Sequence, residues 1–155
     1  MITNPSVVRM TKALLILHVL AAIIAIGPVT VAASMFPAAA RADDAAQIGV
    51  LHRICRIYAV IGVTVPVFGF ATAGMLHVLG SPWLLASIGL TAVAALVLAA
   101  VILPGQGRIM ASTTSGAAID RKTTVRLAMY TGMFNLLWAS VTVLMILRPG
   151  STTGV

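Results

Sequence analysis

Long charge-free apolar runs dominate the chain. Between Ile57 and Gly107 there is no Lys, Arg, Asp or Glu, and only Leu79-Gly80-Ser81-Pro82 interrupts the stretch. A helix needs about 20 apolar residues to cross a bilayer core, so this run predicts two crossings joined by a tight turn. Two further charge-free runs, Ala13–Ala40 and Leu127–Leu147, flank it. The pattern predicts an all-α polytopic membrane protein: a single domain over residues 1–155, built as a four-transmembrane-helix bundle. The spans fall near 13–35, 57–79, 82–103 and 124–147.

Punctuation refines these spans. Pro37 and Ala38–Ala40 mark the exit of the first, and Pro28 predicts a kink within it by freeing the carbonyl of Ile24. Thr30 and Ser34 are placed to help satisfy that group. Pro66 predicts a second kink, eased by Gly62 four residues earlier. Gly62, Gly69 and Ala73 put small residues near one side of span two, as a groove for a neighbouring helix. The Gly80-Ser81-Pro82 turn makes spans two and three neighbours. Ala95 and Ala99 sit at small-xxx-small spacing in span three, which ends at Pro104-Gly105. The first loop covers Asp43–Val50, and the second, Gln106–Thr123, reads as polar and flexible, leaving almost nothing outside the bilayer.

Composition agrees with this class. The chain is 60% hydrophobic and 8% charged, with a mean hydropathy of +1.08. Its formal charge of +7 comes from ten Lys and Arg scattered beside the spans. That is a juxtamembrane pattern, and it speaks against nucleic acid as a partner. Arg9, Lys12 and Arg148 lie on one side; Arg41, Arg53, Arg56, Arg108, Arg121, Lys122 and Arg126 lie on the other. Positive charge is retained inside, so the balance places both loops in the cytoplasm and both termini outside. Ala-, Val- and Gly-rich usage suits a bacterial inner membrane protein. Cys55 is alone, which excludes an intrachain disulfide.

Chemistry-bearing residues are few. His18 and His77 read as lying at similar depth near the outer ends of spans one and two. Two histidines from neighbouring spans are how bundles hold a b-type haem, so the pair is a candidate cofactor site. The more ordinary reading of each is a structural histidine bonded to a backbone carbonyl or to water. His52, Arg53 and Arg56 at the entry of span two, with Arg121, Lys122 and Arg126 at that of span four, could grip an anionic lipid such as cardiolipin; the same charges could simply set topology. Asn135, the one carboxamide at mid-depth, is expected to hydrogen-bond to another helix. No span carries a carboxylate or Lys, which disfavours a proton-coupled transporter. No metal site is expected.

The segment Leu17-His18-Val19-Leu20-Ala21-Ala22-Ile23-Ile24, with Gly27 and a small-residue run to Phe36-Pro37, resembles a broad group of bacterial four-helix membrane proteins. That group includes an uncharacterised predicted integral membrane protein family. More distantly, the segment is similar to the copper-resistance D-type membrane domain and the haem-dependent protoporphyrinogen oxidase. The match covers mainly span one, and Ala25 stands where those families often carry Trp. The resemblance to the oxidase implies a haem ligand at His18 alone; the resemblance to the uncharacterised family implies no activity. By analogy with small four-span proteins lacking catalytic groups, the chain is expected to be a non-enzymatic accessory subunit. Its expected partner is a larger membrane complex, such as a respiratory-chain supercomplex, or a further copy of itself. The alternative is a b-type haem redox protein.

Overall fold

A computed structural model describes residues 4–150. Six α-helices follow in order: α1 (Pro5–Arg41), α2 (Ala45–Ile61), α3 (Thr64–Met75), α4 (Pro82–Val97), α5 (Leu103–Thr114) and α6 (Arg121–Leu147). A π-helical turn, Leu98–Ile102, joins α4 to α5. Four continuous segments are long and apolar enough to cross a membrane: Pro5–Arg41, Ala45–Met75, Pro82–Thr114 and Arg121–Leu147. The fold is the all-α four-span bundle that the hydropathy pattern predicts.

Capping chemistry starts three of the segments before their predicted spans, whereas span two ends at Met75, four residues short of the predicted Leu79. Asn4 caps α1, its side-chain oxygen accepting from the N–H of Ser6 at 3.1 Å, and Pro5 opens the helix with a fixed φ. Asp44 caps α2 by accepting from the N–H of Gln47 at 3.0 Å. The first loop therefore shrinks to Ala42–Asp44, and what reads as loop up to Val50 is helix. Helix α1 runs unbroken through Pro28 and Pro37 to Arg41. Ser34 Oγ donates to the carbonyl of Thr30 at 2.7 Å, not to the one Pro28 frees.

Span two breaks as expected, but one turn before Pro66. The helix pauses at Gly62-Val63, where a Cβ on Gly62 would stand 3.1 Å from the carbonyl oxygen of Tyr58. Span three differs most from expectation. Pro104-Gly105 does not end it; the π-helical turn just before absorbs the missing N–H, with the N–H of Leu103 bonding the carbonyl of Leu98. The chain then continues as α5 to Thr114, and the second loop shrinks to Ser115–Asp120.

At 1.5 Å per residue, α1 is about 55 Å long and the other three segments about 40–50 Å, against a hydrocarbon core of about 30 Å. The bundle therefore extends past the core, chiefly at the end carrying the two loops. Toward that end Phe36, Ile48, Cys55, Ile102 and Gln106 are fully buried. Helix α1 packs on α2, α3 and α6; α4 packs on α6, and α2 packs on α5. Spans two and three are thus neighbours at the loop end through α2 and α5. They also meet beside their turn, where Ala73 clusters with Trp83 and Leu84. In span three Ala94, Val97 and Leu98 face the core, while Ala95 and Ala99 face outward.

Asp120 caps α6, accepting from the N–H groups of Lys122 (3.0 Å) and Thr123 (3.2 Å) and from the Thr123 hydroxyl. The Lys122 N–H and the Thr123 hydroxyl hold its carboxyl below the usual carboxylate range. A depressed pKa stabilises above the unfolded value and is lost as pH falls through the folded one. Amide exchange at Lys122 and Thr123 should therefore stay protected down to about pH 4, then rise in more acidic solution. An Asp120→Asn variant should show no such step.

Candidate functional site

His18 lies on α1 facing α3. Its Nδ1 stands 2.9 Å from the carbonyl oxygen of Val65, and a carbonyl only accepts, so Nδ1 carries the proton and Nε2 the lone pair. The ring occupies the notch left by Gly69, where a Cβ would come within 3.0 Å of Cε1. Of the small-residue side predicted on span two, Gly69 is thus the position that admits a neighbour's side chain. Gly69→Ala should displace the ring and cost about 1–2 kcal/mol. Combined with His18→Ala, most of that added cost should vanish, a coupling that thermal unfolding of the four variants would read.

His77 is elsewhere. It is exposed in the turn after α3, with φ 56°, twelve residues beyond Val65. Along α3 that separation is about 15–18 Å, so the equal depth expected of the two histidines does not hold. The misjudgement has a simple source: α1 begins at Pro5, not at the first apolar residue, so His18 sits deeper than its place in the apolar run suggests. The structure does not bring His18 and His77 together, and the pair does not fit a haem held between them. Among the described residues, no group of three or more His, Cys, Asp or Glu could hold a metal.

At the loop end a buried polar trio joins α2 to α5. His52 Nδ1 donates to Gln106 Oε1 at 3.1 Å, and Gln106 Nε2 donates to Cys55 Sγ at 3.4 Å. Gln106 and Cys55 are fully buried, and His52 is 8% exposed. Gln106 fixes the proton of His52 on Nδ1, and His52 is among the residues lining a groove of about 510 Å³. Arg53 and Arg56, both exposed, line the same groove. The basic residues of α6 do not join them: α5, not α6, is the neighbour of α2, and Arg121, Lys122 and Arg126 are exposed outside the groove. The two basic helix entries expected to form one site are therefore separate.

A third polar feature lies within the charge-free spans of α1 and α6. Asn135 Nδ2 donates to Ser34 Oγ at 3.0 Å, tying α6 to α1 as the sequence predicts. Asn135 lies nine residues inside Arg126 and thirteen before Arg148, near the centre of its span. Ser34 is exposed on the bundle's surface and Asn135 half-buried. Thr131 Oγ1, Asn135 Oδ1 and Trp138 Nε1, at i, i+4 and i+7 on one face of α6, are buried without hydrogen-bond partners. Ser34 and Gln106 carry no weight in the sequence as site residues. Ser34 reads as a helper of the Pro28 kink, and Gln106 falls in the supposed flexible loop.

Comparison with protein-family models, with characterised proteins and with solved structures finds no match for this chain. The class defined by the fold is a multi-pass membrane protein with four spans.

Proposed function

We propose that the chain is a non-enzymatic accessory subunit that packs against a larger membrane complex, respiratory-chain assemblies being the first to test. The observation that carries the reading is the Ser34–Asn135 pair. It sits on the bundle's surface within the charge-free spans, where lipid tails satisfy neither the second amide N–H of Asn135 nor the free lone pair of Ser34. Polar groups there are costly when left to lipid and act as glue between helices when covered. A helix from a partner subunit laid along the α1–α6 seam would supply the missing partners. The haem alternative requires a second axial ligand other than His77.

Affinity purification in mild detergent tests the reading. The wild-type chain should bring down larger membrane subunits, and Asn135→Leu should lose them by about tenfold, the effect of one interhelical hydrogen bond worth about 1–2 kcal/mol. The purified complex-free chain should show no Soret band. A monomer without partners, or a Soret band abolished in His18→Ala, would overturn the assignment.

A further inference from the structure

We infer that the outer face of α2 is a binding site for an anionic phospholipid, with the phosphate held at Arg53 and Arg56. This does not depend on the subunit reading; it rests on two adjoining cavities. The first, about 510 Å³, runs along α2 from Ala45 past Gly49 to Arg56 and is closed on the α5 side by Met110. The second, about 380 Å³, shares Arg53 and Arg56 and continues over Ile57 and Val60. The two guanidinium groups therefore line both grooves, with Ile57 and Val60 on the side that continues into the span. That order, cation then apolar surface heading into the span, matches a head group followed by its acyl chain.

The polar end is built for a phosphate diester. Arg53 and Arg56 stand three apart on α2, and like charges at that spacing repel unless a counter-anion lies between them. A free phosphate would satisfy the same polar groups but would leave the groove over Ile57 and Val60 without an occupant. Arg121, Lys122 and Arg126 lie outside both cavities and take no part, which narrows the site from the five basic residues that the sequence offers for a lipid to two.

Gly49 offers a clean way to close the site. A Cβ added there meets nothing within 4 Å, so Gly49→Leu should fill the groove while leaving the fold and both arginines intact. The full-length chain, reconstituted in phosphatidylcholine vesicles with or without phosphatidylglycerol, would be extracted and its bound lipid counted by native mass spectrometry. Wild type should retain phosphatidylglycerol, and Arg53→Gln/Arg56→Gln should lose roughly thirtyfold in retention, two head-group charges' worth. Gly49→Leu should lose retention at an unchanged Tm, and Arg121→Gln/Lys122→Gln should retain lipid as wild type does. Undiminished lipid in the double arginine variant or in Gly49→Leu would overturn the site. So would an equal loss in Arg121→Gln/Lys122→Gln, which would mean bulk charge alone. Displacement of the lipid by inorganic phosphate at physiological concentration would also overturn it, by showing that the groove takes a free anion.

Discussion

Phe36→Ala is expected to destabilise the bundle by about 3 kcal/mol or more, read as a large fall in Tm or in the denaturant midpoint in detergent. Phe36 is fully buried near the end of α1 and belongs to the continuous core that also holds Ile48, Cys55, Ile102, Ile109 and Phe134. Truncating a buried aromatic leaves a cavity that the surrounding helices fill only in part; soluble cores lose about 3–5 kcal/mol this way. Lipid tails are as apolar as the core, so the transfer part of that cost shrinks wherever the residue lies in the hydrocarbon. The lost dispersion contacts do not shrink. Phe36→Leu, which keeps most of the volume, should cost less than half as much. If Phe36→Ala matched an outward-facing change such as Leu96→Ala, the loop-end core would not be where the bundle is held.

Gln106→Leu is expected to cost about 1–3 kcal/mol, for a different reason. The volume is nearly kept, but the Nδ1–H of His52 loses its acceptor in a buried setting, and a buried unpaired donor carries its full desolvation penalty. The decisive comparison is the double variant His52→Phe/Gln106→Leu, which removes both partners. It should regain much of the loss, since an apolar pair of similar shape can be nearly neutral. Additive losses would show that Gln106 acts through packing and not through the hydrogen bond. The same change should loosen the junction between α2 and α5, so amide exchange should rise along Leu103–Thr114 before it rises in α4.

The four-span bundle was legible because charge-free runs of spanning length have few other physical meanings. The helix ends were not, although the signals were present. Asn4-Pro5, Asp44 with Gln47, and Asp120 with Thr123 each carry capping chemistry, but hydropathy outweighs a cap when spans are drawn by apolarity. The longest miss was α5. Pro104-Gly105 is a strong stop signal, yet the buried stripe Leu98, Ile102, Gln106, Ile109 keeps helical spacing straight through it. Following that stripe would have placed Gln106 in the core opposite His52. The π-helical turn that lets the stripe continue has no sequence signature of its own.

Candidate sites were legible to different degrees. Asn135 was readable because a carboxamide inside a span calls for a partner on another helix, and Ser34 on α1 supplies one. His18 and His77 misled because depth was counted from the ends of the apolar runs, whereas α1 begins at Pro5 and α3 ends at Met75. Arg53 and Arg56 were readable as a basic entry, but their separation from Arg121, Lys122 and Arg126 depends on α5 lying beside α2, a matter of packing order that no local pattern encodes.

The central claim is that the α1–α6 seam faces a protein partner and not lipid. A photo-reactive residue placed at Val31, exposed and one turn from Ser34, tests this in the native membrane, with Leu96 on the outer face of α4 as the control. The account predicts a discrete protein adduct from Val31 that disappears in Asn135→Leu, and only lipid adducts from Leu96. Lipid adducts alone from Val31, or the same protein adducts from both positions, would contradict it.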